Sequence, residues 1–535
     1  MSVTPPLITT LLFSAFLPLF SPLSNAQEAI QINKKIDLNT SHNVTIELKE
    51  DEYVTGHFHS KHEQASLSLW HDNQRIRWLS LTGQSNSDFR FVSQKTADYV
   101  LTIDASSDDE YTLRIEQSIS ASGHPVSSPE LLSPHLQSAL QTYNATKSTQ
   151  AFWDTVTEKG TPLVEPKDDT HSIVTFLWRG AKRNVRILGA PSSDHDPLLQ
   201  LDGSDIWYRS YVLPNDTRLS YRLAPDVPEL PEDHPEHRLS ILSTAQQDPL
   251  NPNTMEIYDQ TKPADQFSRY STLTLPSSMT SPWLADNKVP TGQLVHTTFF
   301  SPTLNNTRNV TLYRPAGFDD SVQADSYPLA IFFDGEAYQH KVPTPQILDN
   351  LIAAKKIPPT LAIFIDNPSR EARSAELPCN PVFAKALATE ILPWVSQQTH
   401  QQFRPETTLL SGSSYGGLAS ACTAFSYPEK FGLVLSQSGS FWWSPKEENS
   451  EWLARHIAST PTKTIRFYLN AGRFETGRGS VDILESNRHL HNILQAKGYP
   501  TQYEEYSSGH DYYQWRNNQA TGLINLLGEH ANQSL

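Results

Sequence analysis

Cysteine is nearly absent from this chain of 535 residues: Cys379 and Cys422 are the only two. One pair cannot staple a protein of this length, so the fold must rest on hydrophobic cores. Spacing leaves open whether the two form a bridge or are separate buried thiols. There is no C-x-x-C and no H-x-x-x-H, which removes the common zinc signatures, and no bound metal is expected. Basic residues are also short. Lys and Arg number 42 against 58 Asp and Glu, a formal net charge of -16. That field disfavours a general nucleic-acid or anionic-membrane binder, and an anionic ligand would need a local basic patch. Beyond the first 26 residues no apolar run is long enough to cross a bilayer. What is present is 37% hydrophobic residues, 10% aromatics and 38 prolines. This describes a loop-rich, β-containing globular protein, and at roughly 150 residues per domain the length implies several domains.

Residues 1–26 read as a secretory leader. Leu7 to Leu23 is a long apolar stretch, and Ser24-Asn25-Ala26 offers small residues for cleavage before Gln27. The segment lacks a Lys or Arg before its apolar core. Pro18 and Pro22 favour a cleaved leader over a short anchor. The expected location is the periplasm; the alternative is the cytoplasm.

Residues 27–120 form an expected accessory β domain. Val44, Ile46 and Leu48 alternate with polar residues, as do Tyr99, Leu101 and Ile103, and Tyr111, Leu113 and Ile115. Ser106 to Asp109 reads as a hairpin connection between the last two strands. His57, His59 and His62 lie close in sequence, as polar residues of a strand surface or as metal ligands, the former being the commoner case. Residues 121–165 read as a helical linker, with Ser122 to Pro125 at its start and helical spacing at Leu136, Leu140 and Tyr143 and at Phe152 and Val156. Residues 166–280 return to short strands and read as a second sandwich-like domain. From 281 to 535 the grammar changes: fully apolar strands such as Leu329–Phe333 and Leu361–Ile365 alternate with helical stretches. That is a parallel α/β sheet, so the fold class is multidomain, an α/β domain preceded by β-sandwich-like domains.

The chemistry centres on Gly412-Ser413-Ser414-Tyr415-Gly416, a G-x-S-x-G sequence with an apolar strand before it and a helical pattern after it. A serine alcohol is a weak nucleophile, and a sharp strand-to-helix turn exposes it to a base. Ser414 is therefore the candidate nucleophile. His510, in Ser508-Gly509-His510-Asp511 near the C-terminus, stands where an α/β-hydrolase places its base, so residues 281–535 are the expected α/β-hydrolase catalytic domain. Glu475, beyond Tyr468-Leu469-Asn470, is the best-placed acid, with Asp482 as runner-up. The backbone N–H of Tyr415 and one near Gly335 or Glu336 are the expected oxyanion donors.

With these pieces in order, the sequence resembles the enterochelin (enterobactin) esterases. The likeness runs through Gly160-Thr161-Pro162-Leu163-Val164-Glu165-Pro166, Val174 to Arg179, Gly203 to Tyr208, Phe333-Asp334-Gly335, Arg373 to Asn380, Gly412 to Leu418, Leu435 to Trp443 and Gly509-His510-Asp511. It covers about residues 140 to 535. The resemblance implies hydrolysis of the ester bonds of catecholate siderophores, with or without iron, by Ser414, His510 and Glu475. It implies no cofactor, iron entering only as part of the substrate. The family usually carries Arg-Glu-Pro where this chain has Phe474-Glu475-Thr476. A ferric catecholate is an aromatic trianion, and cations beside aromatic rings suit it. Arg370, Arg373, Trp442 and Trp443 are the candidate substrate-binding residues. The alternatives are pairing of Arg373 with Glu376 and packing of the tryptophans in the core. Two other functions fit the residues: an exported feruloyl-type or other aromatic-acid esterase, and a periplasmic siderophore-binding protein without turnover.

Overall fold

The computed structural model describes residues 30–120, 131–191, 195–228, 230, 231, 233–255, 265–321, 327–476 and 481–528. The leader read at 1–26 and the segment Ser122 to Pro125 lie outside these. The chain divides into two compact units, Met1–Ala121 and Ser122–Leu535.

The described part of the first unit is a sandwich of two four-stranded antiparallel sheets. Alternation decides the inner face: Tyr99, Leu101 and Ile103 from Ala97–Ala105, and Tyr111, Leu113 and Ile115 from Asp109–Ser120, share one core with Phe58, Leu67, Leu69 and Phe91. The hairpin expected at Ser106 to Asp109 is not one. Ala97–Ala105 pairs with Ser41–Leu48 and Ala65–His71, whereas Asp109–Ser120 pairs with Ile30–Ile36 and Glu52–Ser60. The connection crosses from one sheet to the other, and alternating strands look the same in sequence whether they pair or face each other across a core. The three nearby histidines do not converge on an ion. His57 bonds Asp88, and His59 bonds Ser85 and Asn86. Among the described residues no group of three possible ligands is placed to hold a metal.

One buried acid organises the loop after Glu52–Ser60. The Asp109 carboxylate accepts hydrogen bonds from Ser60 Oγ, and from the backbone N–H of His62, Gln64, Ala65 and Glu110. Burial by itself would raise this carboxyl. The bonds from Ser60, His62, Glu110 and Gln64 outweigh it and hold the pKa at about 2.

The second unit begins with two helices, Pro134–Thr146 and Gln150–Lys159. They pack Leu136, Trp153 and Val156 against Leu163, Leu177, Leu199, Ile206 and Tyr208 of a four-stranded sheet, so these helices form a layer on that sheet. The strand Leu163–Pro166 of this sheet spans the boundary read at 165. The other face of the sheet packs on a three-stranded sheet, Val185–Leu188, Arg218–Pro225 and Ser271–Thr274, around Phe176, Trp207, Leu219, Tyr221 and Leu223.

The remainder is built on an eight-stranded sheet. Its spatial order is Gln293–Ser301, Asn306–Arg314, Leu361–Ile365, Leu329–Phe333, Thr408–Ser413, Leu433–Gln437, Arg466–Gly472 and Thr501–Tyr506. Asn306–Arg314 pairs antiparallel with both its neighbours, and every other neighbouring pair is parallel. The central strands are buried on both faces, which is why they read as unbroken apolar runs. One core lies on each side, under the helix Tyr415–Ser426 on one and under Thr344–Ala353 and Tyr512–Leu527 on the other. Cys379 and Cys422 are joined, tying the segment after Arg370–Glu376 to the helix Tyr415–Ser426. A bridge across 43 residues removes roughly 3–5 kcal/mol of loop entropy from the unfolded chain.

Asp109→Asn is expected to destabilise the first unit by about 2 kcal/mol at neutral pH. Because the folded-state pKa is depressed, the wild-type advantage is present above the ordinary carboxylate range and fades as pH falls through about 2. Denaturant unfolding across that range measures it, and a pH-independent difference would refute the assignment.

Candidate active site

The strand Thr408–Ser413 is buried along its whole length and stops at a turn rather than a cap. At Ser414 the backbone takes φ 56° and ψ -121°, a region that L-residues avoid, and the helix Tyr415–Ser426 starts at the next residue. Neighbouring backbone holds the strained residue. Its N–H donates to the Gln437 carbonyl at 3.0 Å, and its own carbonyl accepts from Leu418 and Ser440, each at 3.1 Å. The turn closes because Gly412 has no side chain: a Cβ there would sit 2.7–2.8 Å from backbone atoms of Gly416. The Ser414 hydroxyl is half-buried, and its Oγ lies 3.3 Å from Ser440 Oγ.

His510 sits in the loop Ser507–Asp511, between the last strand and the last helix. Its Nδ1 is 2.5 Å from Glu475 Oε1. Nδ1 faces the carboxylate, which leaves Nε2 as the ring nitrogen turned away from it. The Glu475 side chain is 1% exposed and the imidazole 32% exposed, so the carboxylate is shielded and the imidazole is reachable. The second oxygen of Glu475 accepts from Ser438 Oγ and from the N–H of Gly472, both at 2.7 Å. Ser438 Oγ in turn accepts from Trp515 Nε1 at 3.0 Å, and the Trp515 ring stands edge-on to His510 at 4.8 Å. Asp482, the runner-up acid, instead caps the helix Ile483–Ala496 by accepting from the Glu485 N–H. Among the described residues Ser414 bonds Ser440 and not His510, and such contacts commonly tighten only when substrate is bound.

Tyr415 and Gly335 each open a helix, where the first N–H groups lack an intrahelical acceptor. The Glu336 N–H is occupied by the Asp366 carboxylate, which separates it from Gly335. A side chain at Gly335 would meet Asp366 Oδ1 at 2.7 Å and Ile365 N at 2.8 Å. The two helix starts are neighbours, since a Cβ on Gly416 would lie 3.5 Å from Asp334 and Phe333.

The four candidate binding residues divide. Arg373 does not pair with Glu376, which is held by Arg308 and Asn306. Its Nε and Nη2 each bond an oxygen of Asp334 at 2.7 Å, a two-pronged ion pair at the end of the strand Leu329–Phe333. The same guanidinium lies 5.8 Å from the Tyr415 ring, which is 6.2 Å from Trp442. Arg373, Tyr415 and Trp442 thus make one wall beside the elbow. Arg370 is exposed at the start of its helix, and Trp443 packs edge-on against Trp452. Sequence reasoning did not assign roles to Ser438, Ser440, Trp515 or Asp334. The first two lie in Leu435 to Trp443 and Asp334 in Phe333-Asp334-Gly335, segments whose likeness to a family was visible while their hydrogen-bonding tasks were not.

Two family descriptions match the chain: an esterase family over residues 301–526, and the N-terminal domain of enterochelin esterase over 173–284. An iron(III) enterobactin esterase of Dickeya dadantii is 31% identical over 416 residues, covering 71% of this chain and 93% of that protein. The chain belongs to the enterochelin esterase family. It is a carboxylic ester hydrolase with an α/β-hydrolase domain. An iron(III) salmochelin esterase of Escherichia coli is 28% identical, covering 70% of this chain and 93% of that protein. The crystal structure of an enterobactin esterase from Shigella flexneri, determined in the presence of enterobactin, aligns with a TM-score of 0.57 at 27% identity, over 70% of this chain and 97% of that one.

Gly412→Ala is expected to cost about 1–3 kcal/mol, because the new methyl meets fixed backbone of Gly416 rather than a movable side chain. Chemical denaturation measures this, and a neutral effect would show that the turn can relax.

Proposed function

We propose that Ser414, His510 and Glu475 form a catalytic triad that hydrolyses the ester bonds of catecholate siderophores of the enterobactin type. The observation that carries the reading is the 2.5 Å Glu475–His510 bond, made at the same sheet end as the strained elbow at Ser414. The likeness to iron(III) enterobactin and salmochelin esterases supplies the substrate class. His510 Nε2 takes the Ser414 proton as Oγ attacks the ester carbonyl. The N–H groups of Tyr415 and Gly335 receive the developing oxyanion. His510 then returns the proton to the departing seryl hydroxyl, and water repeats the sequence on the acyl-enzyme. Glu475 orients the ring and stabilises the imidazolium that forms. No bound cofactor is needed for these steps, and iron enters with the siderophore. Arg373, Tyr415 and Trp442 offer a cation and two rings to a catecholate. Asp334 compensates Arg373, and exposed Arg370 on the same helix is the other candidate cation for the anion.

The enzyme works in the periplasm after removal of residues 1–26. The Cys379–Cys422 bridge supports an oxidising compartment, as disulfides are rare in the cytosol. The protein recovered from a periplasmic extract should resist thiol alkylation until reduced, and recovery in the cytoplasm with two free thiols would overturn the location.

Ser414→Ala should lower enterobactin turnover on the order of 10⁵- to 10⁶-fold, and Glu475→Gln about 10⁴-fold. Product analysis with apo and ferric enterobactin, beside a feruloyl ester, measures both loss and preference. Near-normal turnover by Ser414→Ala would refute the triad. Preference for the feruloyl ester would refute the substrate class.

A further inference from the structure

The loop that carries His510 is five residues long and, besides the Glu475 bond, it is held by the β domain that precedes the α/β sheet. In the three-stranded sheet, Arg218–Pro225 is flanked on one edge by Ser271–Thr274 along residues 218–221. On its other edge Val185–Leu188 pairs only with residues 222–225. Where that partner stops, the His510 loop takes over. The Arg218 N–H donates to the Ser507 carbonyl at 3.1 Å. Two residues on, both the N–H and the hydroxyl of Ser220 donate to the Asp511 carboxylate, the hydroxyl at 2.7 Å. A Cβ on Gly509 would lie 2.6 Å from the Ala190 Cβ, so the loop lies flush against the sandwich.

The loop of the acid is fastened to the same surface. Phe474, immediately before Glu475, packs its ring on the core of the sandwich. Its N–H donates to the Ser508 carbonyl at 3.0 Å. Arg473 donates to Ser507 Oγ at 3.1 Å and faces Asp216 at 3.9 Å. Asp511 is 7% exposed, and burial raises its pKa against the opposing hydrogen bonds of Tyr513 and Ser220 and the charge of Arg516. A carboxylate held there needs those donors to remain ionised.

We propose that Ser220 and Asp511 are positioning residues for catalysis: through their pair of hydrogen bonds the preceding β domain sets the orientation of His510, one residue away, toward Ser414. The inference rests on the triad reading above. It makes the β domain part of the catalytic apparatus, in addition to any contact with substrate.

The test uses the full chain carrying Ser220→Ala, Ser220→Thr or Asp511→Asn, with Ser414→Ala as reference. Two readouts that need no siderophore contact are followed: kcat and KM on a short p-nitrophenyl ester, and the rate of covalent labelling of Ser414 by a fluorophosphonate. Ser220→Ala and Asp511→Asn should each lower kcat and the labelling rate by the same factor, at least tenfold, with KM nearly unchanged. Ser220→Thr should restore both. Folding is checked by melting temperature, and if Asp511→Asn does not fold, the Ser220 pair decides. A lowered melting temperature with wild-type labelling below it would reduce the contact to a structural one and overturn the proposal. Labelling of Ser414→Ala at the wild-type rate would instead overturn the triad reading itself.

Discussion

The buried Glu475 carboxylate is the interaction on which the site depends. It is almost wholly removed from water, so each of its oxygens must find a donor, and the donors come from separate parts of the chain. His510 takes one oxygen; Ser438 and the Gly472 backbone take the other. Ser438 follows the strand Leu433–Gln437 and is itself fixed by Trp515 from the last helix. One acid therefore registers the ends of three neighbouring strands and the final helix against one another. A carboxylate satisfied in this way costs little to bury, whereas the same group stripped of one partner would be expensive.

The serine of the elbow obeys a different constraint. Ser414 is placed by backbone alone: a parallel strand with both neighbours in place, a left-handed turn, and a helix that begins at once. The strain at that residue persists because Gln437, Leu418 and Ser440 bind its peptide groups on all sides. Ser414 and His510 thus share an anchor at the end of Leu433–Gln437, through the Gln437 carbonyl for one and through Ser438 and Glu475 for the other, and the His510 loop packs in addition on the β domain that precedes the α/β sheet.

Much of this was legible in the residues. The G-x-S-x-G turn, the order of Ser414, Glu475 and His510, and the alternation of buried strands with helices all leave local traces. The acid illustrates the limit. Glu475 and Asp482 are both carboxylates in the same connection, and only the fold shows one bonded to His510 and the other capping a helix. Arg373 is similar: Glu376 is the near partner in sequence, yet Asp334 holds it from the end of another strand. The connection at Ser106 to Asp109 misread as a hairpin because period-two alternation reports which face is buried, not which strand lies alongside.

By itself, the sequence determined the class of fold, the elbow at Ser414 and the short list of chemical partners, since these follow from local periodicity, turn chemistry and chain order. Tertiary structure decided which carboxylate meets the histidine, that Cys379 meets Cys422, and that the β domain grips the loop of His510 through Ser220 and Asp511. Those choices join residues 35, 43 and 291 positions apart. Contacts over such separations are set by how whole sheets pack, and no local pattern encodes them.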